Sequence, residues 1–203
     1  LRRMGTDLPT MKRYLESLPD GARSYPQCEV KASVLRNFFK GVNTSVLRDA
    51  LPPVLAAFLE HPSPPNTWIS ETQTSAIYMA SADTVFSSTT FLEHAYQTNY
   101  SLLDSNMYRV LFRLGGVRRI LAKFGDNWAM FHRGTSATLL RLDESGKGGR
   151  LRLQTPPNLI PLLLASAYGT GFRAALEIAG ERDVSCAVTS YESDQVIYTL
   201  KWK

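Results

Sequence analysis

The chain has 203 residues, of which 44% are hydrophobic, 20% charged and 10% aromatic. This is globular composition with enough apolar material to bury a core, and it excludes a disordered chain, a collagen-like chain and a disulfide mini-scaffold. Lys and Arg number 23 against 18 Asp and Glu, a formal charge of +5, which is a mild bias toward anions and not the signature of a dedicated nucleic-acid domain.

No apolar run approaches the ~20 residues that span a bilayer, so no membrane span is expected. The N-terminus carries no apolar signal segment, and a cytoplasmic location is the expectation. Leu1-Arg2-Arg3 precede Met4 and are left out of the fold reading.

Residues 8–18 read as a short helix, with Pro9 in its first turn and Met11, Tyr14, Leu15 and Leu18 at helical spacing. Pro19, Gly21 and Pro26 then break the chain. Residues 1–27 are therefore read as an extension and residues 28–203 as a single domain. Residues 28–39 are ambiguous: Val30, Ala32 and Val34 alternate like a strand, whereas Leu35, Phe38 and Phe39 suit a helical turn. Residues 43–60 are helical, with an N-cap at Asn43-Thr44-Ser45 and a second helix starting at Pro52-Pro53. Residues 61–66 are a proline-rich loop. Helices follow over 70–86, 89–103 and 105–124, the last capped by Ser105 and weakened at Gly115-Gly116.

The pattern changes after Trp128. Residues 136–143 and 150–154 flank a glycine-rich turn and read as a β-hairpin. Pro156-Pro157-Asn158 leads into a helix over 159–179 that ends at Gly180. Residues 182–191 and 194–202 alternate again, with Val196, Tyr198, Leu200 and Trp202 on one face. The fold class is α+β: a helical N-terminal two-thirds, then a C-terminal ββαββ unit of antiparallel strands and one helix, covered by the earlier helices.

Two motif-like strings are rejected on context. Ser145-Gly146-Lys147-Gly148-Gly149 lacks the upstream glycine and following hydroxyl of a phosphate loop and falls in a hairpin turn. Gly169-Thr170-Gly171-Phe172-Arg173-Ala174 fits G-x-G-x-x-A but lies inside a helix, not between strand and helix, so close packing of that helix on the sheet accounts for its glycines. Cys28 and Cys186 form no CxxC or Cys/His ladder, which argues against structural zinc. Cys186 shares a strand face with Val184 and Val188 and reads as an inert buried thiol.

The basic run Arg109, Arg113, Arg118, Arg119 and Lys123 alternates with Val110, Leu111, Leu114, Ile120 and Leu121. It is either the solvated side of an amphipathic helix or an anion-binding face centred on Arg113, Arg118 and Arg119. Phe131-His132-Arg133-Gly134-Thr135 joins the helical part to the sheet, where cavities form. Trp128, Phe131, His132 and Arg133 are the candidate ligand-binding residues, against the plainer reading of a structural histidine with no paired base. Only His61, His94 and His132 are available, and no HExxH, GxSxG or paired-carboxylate motif occurs. No cofactor or metal is expected. Tyr96, Tyr100 and Tyr108 read as core aromatics.

Several strings carry a resemblance: Val30-Lys31-Ala32-Ser33-Val34-Leu35, Thr67-Trp68-Ile69, Tyr108-Arg109-Val110-Leu111 leading to Arg118-Arg119-Ile120-Leu121 and Trp128, and Gly171 through Gly180 followed by Tyr198-Thr199-Leu200-Lys201-Trp202. Over residues 28–203 the chain resembles a paralogous family found mainly in myxobacteria and related deltaproteobacteria. Its tail is similar in pattern to 4-vinyl reductase-type small-molecule-binding domains, which share an α+β fold with the heme-nitric-oxide-binding family and vesicle-transport-particle subunits. Two departures matter. Ligand-binding relatives carry cysteines where this chain has Glu192-Ser193-Asp194 and Pro156-Pro157-Asn158, and the Tyr-x-Ser-x-Arg heme signature here ends at Gln195, in Tyr191-Glu192-Ser193-Asp194-Gln195. The resemblance therefore implies the fold without the thiol, metal or heme site.

The leading expectation is a non-enzymatic bacterial sensory or adaptor domain. It would hold a small apolar or amphipathic ligand, or a protein partner such as a second copy, between helices and sheet. The alternatives are nucleic-acid or cyclic-nucleotide binding through helix 105–124, and an enzyme using His132 and Arg133. The enzyme reading requires both side chains to face one cavity beside a carboxylate.

Overall fold

A computed structural model describes residues 7–106, 108–110 and 116–203. Helix α1 (Pro9–Glu16) is followed by a 3-10 turn at Gly21–Arg23. Strand β1 (Glu29–Lys31) runs without a linker into α2 (Ala32–Phe38), so the ambiguous stretch 28–39 is strand first and helix second. Helices α3 (Ser45–Ala50) and α4 (Pro53–Glu60) divide at Pro52, as the paired prolines predict. Next come β2 (Trp68–Ser70), α5 (Glu71–Thr84) and α6 (Ser88–Leu103).

The expected helix 105–124 is described only in part. Its described C-terminal portion is α7 (Gly116–Ala122), entered through Gly116 at φ +59°, and Lys123 separates it from α8 (Phe124–Ala129). Leu111, Arg113, Leu114 and Gly115 lie outside the described residues. The chain closes with β3 (His132–Arg133), β4 (Ser136–Leu142), β5 (Gly148–Gln154), α9 (Leu162–Ile178), β6 (Ser185–Tyr191) and β7 (Gln195–Lys201). Among the described residues no helix is long and apolar enough to cross a membrane.

The C-terminal ββαββ unit is as the alternation predicts. Its sheet has the order β4-β5-β7-β6 and every pair is antiparallel. The central strand β7 buries Val196, Tyr198 and Leu200 beneath α9, and the Tyr198 hydroxyl donates to the Ala165 carbonyl at 2.9 Å. That bond satisfies the one polar atom of a fully buried ring.

A second sheet was not expected. It has the order β2-β1-β3, with β1 in the middle and both neighbours antiparallel. Two or three residues per strand are too few for an alternation signal. The sheet nevertheless ties residues 29–31, 68–70 and 132–133 into one unit.

Helix α1 packs on α5 and has no side-chain cap of its own. Its free N–H groups at Thr10 and Met11 donate instead to the Asp83 carboxylate, at 3.0 and 3.2 Å, so a helix start is capped from another element. Its Tyr14 hydroxyl reaches the Leu159 carbonyl at 2.9 Å.

Both glycines of the rejected dinucleotide string lie inside α9. Only Gly169 faces the sheet, where an added Cβ would sit 3.5 Å from Tyr198 in ordinary contact. Gly171 faces α6 instead, and a Cβ there would press to 3.2 Å against Asn99 Nδ2. Gly169→Ala is therefore expected to stabilise the fold by up to about 1 kcal/mol through helix propensity. Gly171→Ala gains the same propensity but displaces Asn99, and is expected to lie at least ~1 kcal/mol below it in urea unfolding.

Candidate functional site

The small sheet brings two distant side chains together. Val30 of β1 pairs with Ile69 on one side and His132 on the other, and Glu29 pairs with Ser70 and Arg133. Strand β2 ends at Ser70, whose hydroxyl caps α5 by accepting from the Gln73 N–H. Glu71 is thus the first residue of α5, where the unpaired N–H groups of a helix start favour a negative charge. Its own N–H donates to the Cys28 carbonyl at 3.0 Å, locking the helix start to β1.

From there the Glu71 carboxylate meets the imidazole of His132. Nδ1 of His132 lies 2.8 Å from Glu71 Oε1, although 61 residues separate them in the chain. The Tyr168 hydroxyl, from α9, donates to the same oxygen at 3.0 Å. Glu71 is 1% exposed and His132 5%. Oε2 of Glu71 has no partner among the described residues. Burial, with Glu71 adding to it, pushes the Tyr168 phenol well above its ordinary value, so this group remains a hydrogen-bond donor.

Aromatic packing fixes the imidazole plane. Trp128 stacks flat on His132, with ring centroids 3.8 Å apart and 6° between planes. Tyr168 meets the pair edge-on, at 5.2 Å from Trp128 and 5.3 Å from His132. The Trp128 indole N–H donates to Thr135 Oγ1 at 2.9 Å, which sets its rotation. Phe172 continues the cluster toward Phe124 and Tyr198.

This cluster forms one wall of a partly open cavity of about 110 Å³ lined by α2, α6, α7, α8, α9 and the large sheet. The rest of the lining is mostly apolar, with Leu103, Ile120, Leu121, Leu151, Leu176 and Leu200. The polar lining is Asn99, Asn127, His132 and Tyr168. A larger recess of about 550 Å³, beside Arg36, Lys40 and Phe58, is more open and holds no buried titratable pair.

Of the four candidate ligand-binding residues, Trp128, Phe131 and His132 line the cavity. Arg133 does not. Adjacent residues of a strand point to opposite faces, so burying His132 sends Arg133 outward. Its guanidinium lies 3.9 Å over the Trp68 ring and pairs with Glu29 at 3.5 Å. The constellation required for an enzyme using His132 with Arg133 is therefore not assembled. Glu71 and Tyr168 were missed by sequence reasoning. Their only signal was an acidic residue at a helix start and a tyrosine within an apolar helix.

Arg118 and Arg119 are exposed, and Ile120 and Leu121 beside them are buried. This is the pattern of an amphipathic helix. Arg109 is occupied by Asp104, with Nη2 to Oδ2 at 3.1 Å. Arg113 lies outside the described residues. Among the described residues no group of three or more metal-ligating side chains is assembled.

No family model matches the chain, and no curated protein sequence matches it. Solved structures do. An oxygen-binding H-NOX domain related to soluble guanylate cyclases, in its oxygen complex, superposes with a TM-score of 0.56 at 11% identity, over 84% of this chain and 92% of that one. A Cs H-NOX mutant bearing 4-cyano-phenylalanine gives 0.57 at 8% identity, over 85% and 96%. A point-substituted Tt H-NOX domain gives 0.53 at 11% identity, over 85% and 95%. The chain therefore has the fold of H-NOX domains, built here around a small, mostly apolar cavity.

The residues present do not fit a heme. Benzene alone takes a cavity of ~150 Å³, and a tetrapyrrole is several times larger than benzene, whereas the cavity here measures about 110 Å³. Tyr191, which opens the incomplete heme signature, donates instead to the Ile160 carbonyl at 3.0 Å.

Two predictions follow from these contacts. Breaking the buried hydrogen bond by His132→Phe or Glu71→Leu alone is expected to cost ~1–3 kcal/mol, because it leaves a buried polar group without its partner. The double variant is expected to cost less than the sum, with a coupling of about 1–3 kcal/mol in a denaturant-unfolding cycle. Burial pushes the thiols up, Cys28 to about 11 and Cys186 to about 12. Since the thiolate is the reactive form, neither is expected to react with Ellman's reagent at neutral pH until denaturant is added.

Proposed function

We propose that this chain is a non-enzymatic sensory domain that holds a small, mainly apolar molecule in the cavity beneath α9. The observation that carries the reading is the cavity itself, a partly open, mostly apolar space with a buried, hydrogen-bonded polar cluster at one wall. Small-molecule sites have this form, with a few placed polar groups in an apolar lining. The volume of about 110 Å³ suits a ligand of a handful of heavy atoms. The likeness to H-NOX domains, one of them described as oxygen-binding, supports a ligand-holding role on this fold. The resemblance of the tail to 4-vinyl reductase-type domains supports the same role. A bacterial origin belongs to the resemblance to the paralogous family of myxobacteria and related deltaproteobacteria.

The ligand reading is preferred over a dimer or partner surface at the terminal hairpin. The outer face of β6 and β7 carries Thr189 and Thr199, whose hydroxyls bond each other at 3.1 Å, in place of an apolar patch.

Xenon tests the reading because it enters small apolar cavities without needing a polar contact. Pressurised xenon is expected to shift the methyl resonances of Leu121, Leu151 and Leu176. Ala175→Leu, which projects a larger side chain into the cavity from α9, is expected to abolish those shifts and leave the fold intact. Absence of any shift in the wild-type protein would overturn the reading.

A further inference from the structure

We propose that His132 is a specificity residue whose Nε2 lone pair accepts a hydrogen bond from the ligand, so that the cavity selects a small apolar molecule bearing one O–H or N–H donor. The inference rests on the ligand-binding reading above and names the ligand's chemistry.

Tautomer logic leads to this assignment. An ionised carboxylate is an acceptor only. Oε1 of Glu71 already receives the Tyr168 hydroxyl at 3.0 Å, and Nδ1 of His132 stands 2.8 Å away. With Glu71 as the acceptor and a neutral imidazole, Nδ1 carries its hydrogen toward Glu71. In a neutral imidazole the other nitrogen then holds the free electron pair. Nε2 makes no hydrogen bond to any described residue, and the ring it belongs to lines the cavity. The flat stack with Trp128 at 3.8 Å fixes the plane of the ring, and so the direction of Nε2. Glu71 thus acts through His132, as a positioning residue.

The rest of the polar wall has the same bias. Asn99 directs its amide N–H groups to the Ala167 carbonyl at 3.3 Å and Thr170 Oγ1 at 3.4 Å. Asn127 directs Nδ2 to the Ile120 carbonyl at 3.2 Å. Tyr168 gives its hydrogen to Glu71. Asn99 and Tyr168 thus commit their donors to the protein and Asn127 one of its two amide N–H groups, which leaves the Nε2 lone pair of His132 as the acceptor on the aromatic wall.

The test uses the full chain and two probes of matched size that suit a cavity of about 110 Å³, 2-propanol and acetone, with binding followed by protein-observed NMR. 2-Propanol is expected to bind about 3- to 10-fold more tightly, the range for one net hydrogen bond. The wild-type His132 ring is expected to show the Nδ1–H tautomer in its nitrogen-15 shifts, and Nε2 alone should move on adding the alcohol. In Glu71→Gln the amide can donate to Nδ1 and place the hydrogen on Nε2, so the preference should reverse toward the ketone. Equal binding of the two probes, or an Nε2–H tautomer in the wild type, overturns this inference. If xenon still shifts the cavity methyls in that case, the ligand-binding reading stands without it. If neither probe nor xenon binds, both fall.

Discussion

A buried carboxylate held against a buried imidazole is the constraint around which the site is organised. Removing two ionisable groups from water is costly, and the cost is offset only when geometry and hydrogen bonding are good. Here Glu71 meets Nδ1 of His132 at 2.8 Å and the Tyr168 hydroxyl at 3.0 Å. Three elements must be in place for this to happen. The start of α5 provides the carboxylate, the short strand β3 provides the imidazole, and α9 provides the phenol. The sheet β2-β1-β3 fixes the first two in register, and packing of α9 on the large sheet fixes the third.

The cavity follows from the same packing. Helices α8 and α9 cover the concave side of the large sheet with Trp128, Tyr168 and Phe172, whose rings meet mostly edge-on. Aromatic bodies of this size stack well on one another but leave angular gaps beside leucines. The space of about 110 Å³ lies among them. The fold is that of H-NOX domains, and here leucines and aromatic rings line the small space that remains inside it. A shared backbone does not by itself fix function, since function resides in the site.

Much of the architecture was legible because it rests on long, regular patterns. The ββαββ tail shows period-two alternation in strands of seven residues and a helix of 17, long enough for the period to be unmistakable. Placing Gly169 and Gly171 inside a helix excluded a dinucleotide loop for a reason that the coordinates bear out. Short elements were not legible. Strands β2 and β3 have three and two residues, and their pairing with β1 depends on partners tens of residues away. The site divides in the same way. Trp128, Phe131 and His132 stand close together in the chain and were found. Arg133 was included by proximity and lies on the opposite face, over Trp68.

By itself the amino-acid order determined the class of fold, the antiparallel tail, the helical character of the first two-thirds and the segment that lines the cavity. These are local properties, set by side-chain periodicity, proline and glycine placement and capping residues. Only the tertiary structure decided that His132 has a carboxylate partner, which of its nitrogens is engaged, and that Tyr168 joins them. Those facts depend on strand register and helix docking, which place residues 71, 132 and 168 within hydrogen-bonding distance although nothing in their sequence neighbourhoods connects them.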